Sequence, residues 1–443
     1  VDGKTVVTYD INPDAVFNDD TPIDWRAFET TWKVSNGENK DFSVSSIDGY
    51  ELIESVTAGE SDKQAVVTFK QPFAWWQALF NQIMHPSVSD PQTFNEGYLK
   101  NPHPEWGTGP FKVDTFDYND GTVTFVPNEK WWGEKPKLDK VTYRQMESQA
   151  IINAFQAGEI DAASVASKDN LAVAKQMKDI NILGALQPSN FLLTLNSKTP
   201  ILEDIKVRQA LITGVDRETL AQIRFNGLDY KEDLPGSIFL FQNQEGYQDN
   251  FSSAAQYDQD KAKQLLDEAG WAEGGDGIRE KDGEKLKLRY VTFGDDQMVK
   301  SSVTGLQKMM KNIGVDMQVE ERPNSDFSRV LAEKDFDLIM SGFTSTDPFG
   351  VLYFKQDYAS DSELNNSGTG TPEFDEKINE LYQISDQTEQ IAKANELEKE
   401  AFAQYGIMPY ANGPQLTGVK KGLANFGAYA FAVVPKENIG WAK

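Results

Sequence analysis

Apolar residues recur at helical or alternating spacing over most of the chain between about residues 190 and 410. Alternation and β-branched runs predict strands, whereas apolar stripes at i, i+3, i+4 and i+7 predict helices. The predicted strands are 191–195, 286–293, 315–321 and 336–343. The predicted helices are 207–211, 217–225, 258–269, 298–313, 325–332, 372–384 and 387–404. The order β-α-β-α-β from 286 to 343 indicates a parallel sheet with right-handed crossovers.

The earlier part of the chain shows shorter strand patterns and more aromatic residues. Residues 63–70 are β-branched and alternate toward their end, which predicts a strand. Trp25, Phe28 and Trp32 predict a helix over 24–34, and a similar stripe predicts a second helix over 75–83. Turn signals alternate with strands from 106 to 144. A helix over 148–157 then ends at Gly158, before a short strand over 159–165.

Two loops follow the carboxyl ends of strands in the predicted parallel sheet. The first is Gly294-Asp295-Asp296, and the second covers residues 344–349. In open α/β sheets, ligands bind beyond the carboxyl ends of the strands. We therefore expect these two loops to contribute to a ligand-binding site.

Length and composition narrow the class of protein. The chain has 443 residues, which is more than a single hydrophobic core usually accommodates, and this indicates two or three domains. The net charge of −26 would repel phosphate backbones, so nucleic acid is not an expected partner. The absence of cysteine excludes disulfides, thiolate metal ligands and thiol catalysis. Val1 is not an initiator and no signal peptide is visible, so we expect the chain to begin inside a domain.

The sequence offers no catalytic or metal-binding motif. Its two histidines, His85 and His103, each precede a proline, and neither has a partner at metal-ligand spacing. Nucleophile-elbow, zinc-protease and phosphate-loop motifs are missing. Among 69 acidic residues, some carboxylates are adjacent in sequence by chance alone. Such pairs are therefore weak support for a hydrolase that uses two carboxylates, and this function is kept only as an alternative. We therefore expect no catalytic residue, no metal and no cofactor.

Several short motifs follow one another in a specific order. They are 19–22 (DDTP) ahead of Trp25, 107–111 (GTGPF), 128–132 (NEKWW), 156–162 (QAGEIDA), 207–217 (VRQALITGVDR) and 257–271 (YDQDKAKQLLDEAGW). Together they resemble the family 5 solute-binding proteins of ABC importers, which include oligopeptide-, dipeptide- and nickel-binding proteins. The resemblance runs from residue 1 to beyond 410. The opening over residues 6–25 is similar to an actinobacterial lipoprotein branch of that family.

The resemblance implies an α/β fold of the periplasmic-binding-protein class II type. This fold has two α/β lobes joined by crossover strands, plus a small extra domain. Mapped onto this chain, the extra β-rich domain covers 1–88. One lobe covers 89–190 with 411–443, and the other lobe covers 191–410. The family pattern starts before Val1, so the opening strands of the first lobe are expected outside this sequence.

The resemblance also implies hinges and a binding loop. The crossings map to 187–190 and 411–414, where Pro, Asn and Gly tolerate unusual backbone angles, so we expect hinge bending there. In peptide-binding relatives, an aspartate three residues after a tryptophan pairs with the ligand's α-ammonium group. Here Phe343 replaces the tryptophan and Thr346 replaces the aspartate, while Asp347 follows directly. Asp347 either substitutes for the missing carboxylate or only begins a turn before Pro348.

We predict the ligand-binding residues from this mapping and from the two loops that follow the strands. They are Asn196, Phe293, Asp295, Phe343, Ser345, Thr346 and Asp347. If the ligand is a peptide, backbone pairing would supply much of the affinity and give broad sequence tolerance.

Three functions stay open at this point. The first is capture of a peptide-like ligand by hinge closure, as the binding component of an ABC importer. The second keeps the fold but serves cell-envelope glycolipid assembly, which the shortened loop at Asp347 favours. The third is a carboxylate-dependent hydrolase. The first implies a peptide or other small-molecule ligand, a membrane-embedded permease and a monomer. It also implies a location outside the cytoplasm, either lipid-anchored or periplasmic.

Overall fold

The computed structural model describes residues 3–44, 46–228, 231–294 and 297–442. Its helices are α1 (Trp25–Ser35), α2 (Pro91–Glu96), α3 (Ser148–Ala157), α4 (Lys168–Ala174), α5 (Ile205–Thr213), α6 (Arg217–Arg224), α7 (Gln259–Glu268), α8 (Gln297–Asn312), α9 (Phe327–Glu333), α10 (Phe354–Tyr358), α11 (Pro372–Leu381) and α12 (Gln387–Phe402). Its strands are β1 (Val6–Asp10), β2 (Ile53–Ala58), β3 (Gln64–Phe69), β4 (Phe111–Asp117), β5 (Thr122–Pro127), β6 (Val141–Arg144), β7 (Ala162–Ser164), β8 (Ile180–Leu186), β9 (Ser189–Leu195), β10 (Ala272–Glu273), β11 (Arg279–Lys281), β12 (Glu284–Lys285), β13 (Lys287–Phe293), β14 (Asp316–Arg322), β15 (Leu338–Thr344), β16 (Ile407–Ala411), β17 (Pro414–Lys420), β18 (Leu423–Ala424) and β19 (Gly440–Trp441).

The chain divides into two compact units. Unit 1 combines Val1–Ala185, Tyr382–Ser385 and Gln415–Lys443, and unit 2 combines Leu186–Leu381 and Asp386–Pro414. The finer division predicted from the sequence, with an extra domain over 1–88, stays a prediction.

Unit 1 contains small sheets, with the strand orders β1-β3-β2, β4-β5-β6 and β7-β17-β8. The predicted strand over 63–70 is confirmed as β3, and the predicted helix over 24–34 is confirmed as α1. Asp24 begins that helix, because its carboxylate accepts a hydrogen bond from the Arg26 N–H at 2.9 Å. The helix then buries Ala27 and Phe28.

The helix predicted over 75–83 is wrong. The chain forms only a single 3₁₀ turn there, at Trp76–Ala78. Phe80 has a φ of 56°, in the left-handed region that ends a helix. Trp75, Leu79 and Phe80 are nevertheless buried. Their helical spacing therefore reflects an irregular segment that packs its aromatic side chains inward.

Unit 2 is built on a five-stranded sheet of order β14-β13-β15-β9-β16. β13 pairs in parallel with both β14 and β15, which confirms the parallel β-α-β-α-β unit predicted from the sequence. β9 runs antiparallel to β15 and β16. Buried apolar side chains from β13, α9, β15 and the segment before β15 form one cluster of its core, consisting of Val291, Val330, Phe336 and Ile339.

Aspartates begin several helices of unit 2. Asp216 begins α6 and Asp258 begins α7, each by accepting a hydrogen bond from the backbone N–H three residues later, at 3.0 and 2.9 Å. α7 then buries Ala262, Leu265 and Leu266, which are three residues of the predicted apolar stripe.

Candidate functional site

One edge of the five-stranded sheet in unit 2 gathers the ends of several strands. β13 and β15 are parallel, so Phe293 and Thr344 end at the same edge. β9 runs in the opposite direction, and its first residue, Ser189, pairs with Thr344. Near the start of β9, Phe191 pairs with Ala411, the last residue of β16. We call this edge the carboxyl edge, and it is the place where α/β sheets bind ligands.

Asp347 lies in the loop that follows β15 at the carboxyl edge. The residue is only 2% exposed. Its carboxylate accepts hydrogen bonds from the backbone N–H groups of Phe349, Gly350 and Leu352, at 2.9, 2.8 and 3.3 Å. Burial raises the pKa of Asp347, and these hydrogen bonds oppose the increase. In this structure the carboxylate therefore closes the turn that precedes α10.

The neighbours of Asp347 divide into a buried residue and two more accessible ones. Ser345 is buried, and its backbone N–H donates to the Pro188 carbonyl at 2.9 Å, which ties the loop to the segment before β9. Thr346 is exposed, and its hydroxyl lies 2.8 Å from the Tyr353 hydroxyl. Phe343 is half-buried, with its ring edge-on to Tyr353 at a centroid distance of 6.3 Å.

The other predicted residues do not all share this position. Phe293 ends β13 at the carboxyl edge, where its half-buried ring lies 5.2 Å from Phe327 and packs against the core of unit 2. Asp295 lies outside the described residues.

Asn196 follows the far end of β9, away from the carboxyl edge. Its side-chain NH₂ donates to the carbonyls of Lys334 and Phe336, both at 3.0 Å, and its side-chain oxygen accepts from the Lys198 N–H. The amide is therefore occupied in holding loops together, and the structure does not bring Asn196 to the other predicted residues.

Arg224, the last residue of α6, was missed in the sequence analysis. Its guanidinium carbon lies 4.0 Å from the centroid of the Phe191 ring, at the carboxyl edge. Burial raises the pKa of Tyr410, and the nearby positive charge of Arg224 opposes that increase. Nothing in the sequence signals this cluster, because its members come from β9, α6 and β16.

A group of polar side chains fixes the backbone where β9 begins and β16 ends. The side-chain NH₂ of Asn412 donates to the Ser189 carbonyl at 2.9 Å and to the Asn190 side-chain oxygen at 2.8 Å. The Gly413 N–H donates to a carboxylate oxygen of Glu232 at 2.9 Å. Burial raises the pKa of Glu232, and this hydrogen bond opposes the increase. These contacts hold the two predicted hinge segments together inside unit 2.

The two histidines lie in unit 1 and take part in local packing. His85 Nε2 lies 3.2 Å from an Asp19 carboxylate oxygen, and His103 Nδ1 lies 2.7 Å from one of Glu105. Both rings stack on Trp106, at centroid distances of 5.7 and 3.6 Å. Among the residues that the structure describes, no three metal-ligating side chains cluster as a metal site. Within the same residues, no helix combines the length and apolar character needed to span a membrane.

Comparison with known proteins gives matches over nearly the whole chain. The family model described as "Bacterial extracellular solute-binding proteins, family 5 Middle" matches residues 1–364. The oligopeptide-binding protein OppA of Mycobacterium tuberculosis strain H37Rv is 35% identical, over 99% of this chain and 74% of OppA. A second protein of that strain is named "Probable monoacyl phosphatidylinositol tetramannoside-binding protein LpqW". It is 30% identical over 49% of this chain and 34% of its own length.

A solved structure agrees with these sequence matches. The periplasmic EDTA-binding protein EppA superposes with a TM-score of 0.88 at 26% identity, covering 99% of this chain and 85% of EppA. This likeness confirms the periplasmic-binding-protein-like α/β fold predicted from the sequence. The family model covers well over half of the sequence and the OppA match almost all of it, so the chain belongs to family 5 of the bacterial extracellular solute-binding proteins.

Proposed function

We propose that this protein captures a peptide-like ligand as the binding component of an ABC importer. The observation that carries the proposal is the 35% identity to an oligopeptide-binding protein over 99% of the chain. The partner that completes the function is a membrane-embedded permease. The protein acts as a monomer outside the cytoplasm, held at the membrane by a lipid anchor or free in the periplasm. Its role is to bind the ligand without breaking any bond in it.

The carboxyl edge of unit 2 supplies the ligand contacts in this proposal. In the loop after β15, Thr346 and Phe343 have accessible surface, so they contact the ligand through a hydroxyl and a ring. Ser345 and Asp347 are buried and bonded to the loop backbone, so they hold the loop in its shape. Main-chain hydrogen bonds supply the rest of the affinity and accept many peptide sequences.

Ligand binding should bend the crossover segments at 187–190 and 411–414. Gly413 has a φ of +87°, a conformation that favours glycine, and it lies at one of these segments. Small-angle scattering with and without a saturating peptide measures the change, and we expect the radius of gyration to fall. Identical profiles at saturation would contradict hinge closure.

Ligands that co-purify with the protein test the proposal directly. Native mass spectrometry of protein from a bacterial host should show a ladder of mixed short peptides, released on denaturation. Calorimetric titration with a synthetic nonapeptide should then show binding to protein stripped of those ligands. Peptide-free protein that also fails to bind the nonapeptide would contradict peptide capture.

A second candidate function is glycolipid handling at the cell envelope. The observation that favours it is the 30% identity to LpqW, whose name includes binding of a monoacyl phosphatidylinositol tetramannoside. The match covers about half of this chain, against nearly all of it for OppA. The same mass spectrometry separates the two candidates, because a mannosylated lipid in place of peptides would support the second one.

A further inference from the structure

Three asparagines of this chain directly precede a glycine, in the steps Asn36-Gly37, Asn226-Gly227 and Asn412-Gly413. In such a step the glycine backbone nitrogen can attack the carbonyl carbon of the asparagine side chain, because glycine has no Cβ to obstruct the approach. The new N–C bond closes a succinimide ring, and the side-chain nitrogen leaves as ammonia with the proton of the backbone N–H. A water molecule then opens the ring at either carbonyl, which yields aspartate or isoaspartate. All three steps share this chemistry, so the structure around each one determines its rate.

The step at Asn412 is held on both sides of the reacting bond. Asn412 is 1% exposed, and its side-chain NH₂ donates to the Ser189 carbonyl and to the Asn190 side-chain oxygen. The attacking group is bound as well, because the Gly413 N–H donates to a carboxylate oxygen of Glu232 at 2.9 Å. Ring closure here would first have to break buried hydrogen bonds, which is costly when nothing replaces them.

Asn36 is also shielded, at the point where α1 ends. It is 6% exposed, and its side-chain oxygen accepts a hydrogen bond from the Glu38 N–H at 3.0 Å. The side chain of Ile47 packs against the following glycine, with its Cγ2 only 2.9 Å from the position that a Cβ on Gly37 would occupy. The side chain of Asn36 is therefore kept from water and held in one orientation.

Asn226 differs from both in its exposure and in its contacts. It lies in the turn that follows α6, and it is exposed. Its backbone N–H donates to the Ile223 carbonyl at 3.4 Å, at the long end of the hydrogen-bond range. Within the part of the chain that the structure describes, neither its side-chain amide nor the Gly227 N–H makes a hydrogen bond. Both reacting groups are open to water, in an exposed turn of the kind that opens at low cost in free energy.

The turn at Asn226 adjoins one of the predicted hinge segments inside unit 2. The ring of Phe225 lies 5.6 Å from the Phe191 ring, and its Cζ lies 2.6 Å from the position of a Cβ added to Gly413. Deamidation would place a negative charge after Phe225, and isoaspartate would also lengthen the main chain of the turn by a carbon atom. The modification would therefore change the chain directly beside residues 411–414.

We infer that Asn226 is the site at which the folded protein deamidates spontaneously, to a mixture of aspartate and isoaspartate. The fold protects Asn36 and Asn412 from the same reaction. The co-reactant is water, and the leaving group is ammonia.

The test follows the three steps together in the full chain. Protein is incubated at mildly alkaline pH, where the glycine nitrogen loses its proton more readily, and samples are digested and analysed by mass spectrometry. The conversion of amide to carboxylic acid at residue 226 should be at least about tenfold faster than at residues 36 and 412, which react only after local opening. The matched control is the same incubation in urea above the unfolding midpoint, where the three rates should become similar because the fold no longer protects any of them.

A variant checks the assignment on the intact protein. Asn226→Gln keeps a neutral amide at an exposed position, but the extra methylene moves its carbonyl away from the Gly227 nitrogen. Native ion-exchange chromatography should show an acidic form that accumulates in the wild type and is absent from Asn226→Gln over the same time.

Two further patterns would overturn the inference. Folded protein that deamidates equally at all three steps, or at residue 36 or 412 first, would show that exposure and hydrogen bonding do not control the reaction. A rate ratio that persists unchanged in urea would assign the selectivity to the neighbouring sequence instead of the fold. Accumulation of the acidic form in Asn226→Gln at the wild-type rate would place the reacting group elsewhere.

Discussion

The buried carboxylate of Asp347 accepts hydrogen bonds from backbone N–H groups of the turn that follows it. Replacement by alanine leaves the N–H groups of Phe349, Gly350 and Leu352 without this acceptor. Unpaired buried donors cost about 1–3 kcal/mol each, and partial access to water reduces the sum. We expect Asp347→Ala to lower the free energy of unfolding by about 2–4 kcal/mol, measured by urea denaturation followed by circular dichroism.

The control for this prediction is Asp361→Ala, which removes the same charge from an exposed position in unit 2. Its effect should stay within about 0.5 kcal/mol. Equal losses in the two variants would show that the hydrogen bonds of Asp347 contribute little to stability.

The sequence could predict where the loop of Asp347 lies in the sheet, but not which contacts its side chains make. The rule for α/β sheets places residues 344–349 at the carboxyl edge, and the structure agrees. Burial of Asp347 depends on Gly350 and Leu352 turning back toward it, and no spacing rule encodes that turn. Arg224 meets Phe191 only through tertiary folding, so neither residue was a candidate.

Gly413, in the predicted hinge segment 411–414, combines a left-handed backbone conformation with close packing. Its φ is +87°, and an added Cβ would lie 2.6 Å from Phe225 Cζ and 3.2 Å from Phe191 Cε2. Gly283 has nearly the same φ, +86°, but an added Cβ there meets no atom within 4 Å. Both alanine variants should lose about 1–2 kcal/mol from the left-handed conformation, and Gly413→Ala should lose about 1–3 kcal/mol more.

Urea denaturation of the two glycine variants isolates the effect of the close contacts, because the backbone term is shared. Losses of the same size would mean that the rings of Phe191 and Phe225 move aside without cost.

Helices and strands could be predicted from the sequence where the chain follows local rules of spacing and periodicity. Apolar spacing located α1, α6 and α7, and periodicity predicted the parallel β-α-β-α-β unit that contains β13, β14 and β15. The helix predicted over 75–83 failed because Phe80 takes a left-handed conformation, which an aromatic stripe does not reveal. The pairing of β9 with β16 joins segments more than 200 residues apart, so local pattern could not place it.

Glu398 attaches α12 to its surroundings through a buried carboxylate. The side chain is 0% exposed and accepts hydrogen bonds from the Asn250 side chain, the Ile238 N–H and the Tyr358 hydroxyl, at 2.7 to 2.8 Å. Burial raises its pKa above the ordinary value of 4.5, and the hydrogen bonds from Asn250 and Ile238 oppose this. The folded state therefore binds a proton more readily than the unfolded state.

This pKa shift fixes the sign of a pH effect. The stabilising contribution is fully present below the unfolded value near 4.5 and is lost as pH rises through the raised folded-state pKa. The unfolding free energy of the wild type relative to Glu398→Gln should therefore increase as pH falls from 7 toward 4.5. Glu396→Gln, at an exposed position on the same helix, measures the effect of removing a surface charge. A wild-type advantage that shrinks on acidification would contradict the prediction.

The protein carries a net charge of −26, so its excess acidic side chains repel one another in the folded state. Salt screens this repulsion, because the Debye length falls from about 30 Å at 0.01 M to about 8 Å at 0.15 M. We expect the melting temperature at pH 7 to rise when sodium chloride is added over this range, by differential scanning calorimetry. The same addition should have little effect near pH 4.5, where the net charge approaches zero. A salt effect of equal size at both pH values would assign it to ion-specific solvation, because only charge repulsion vanishes with the net charge.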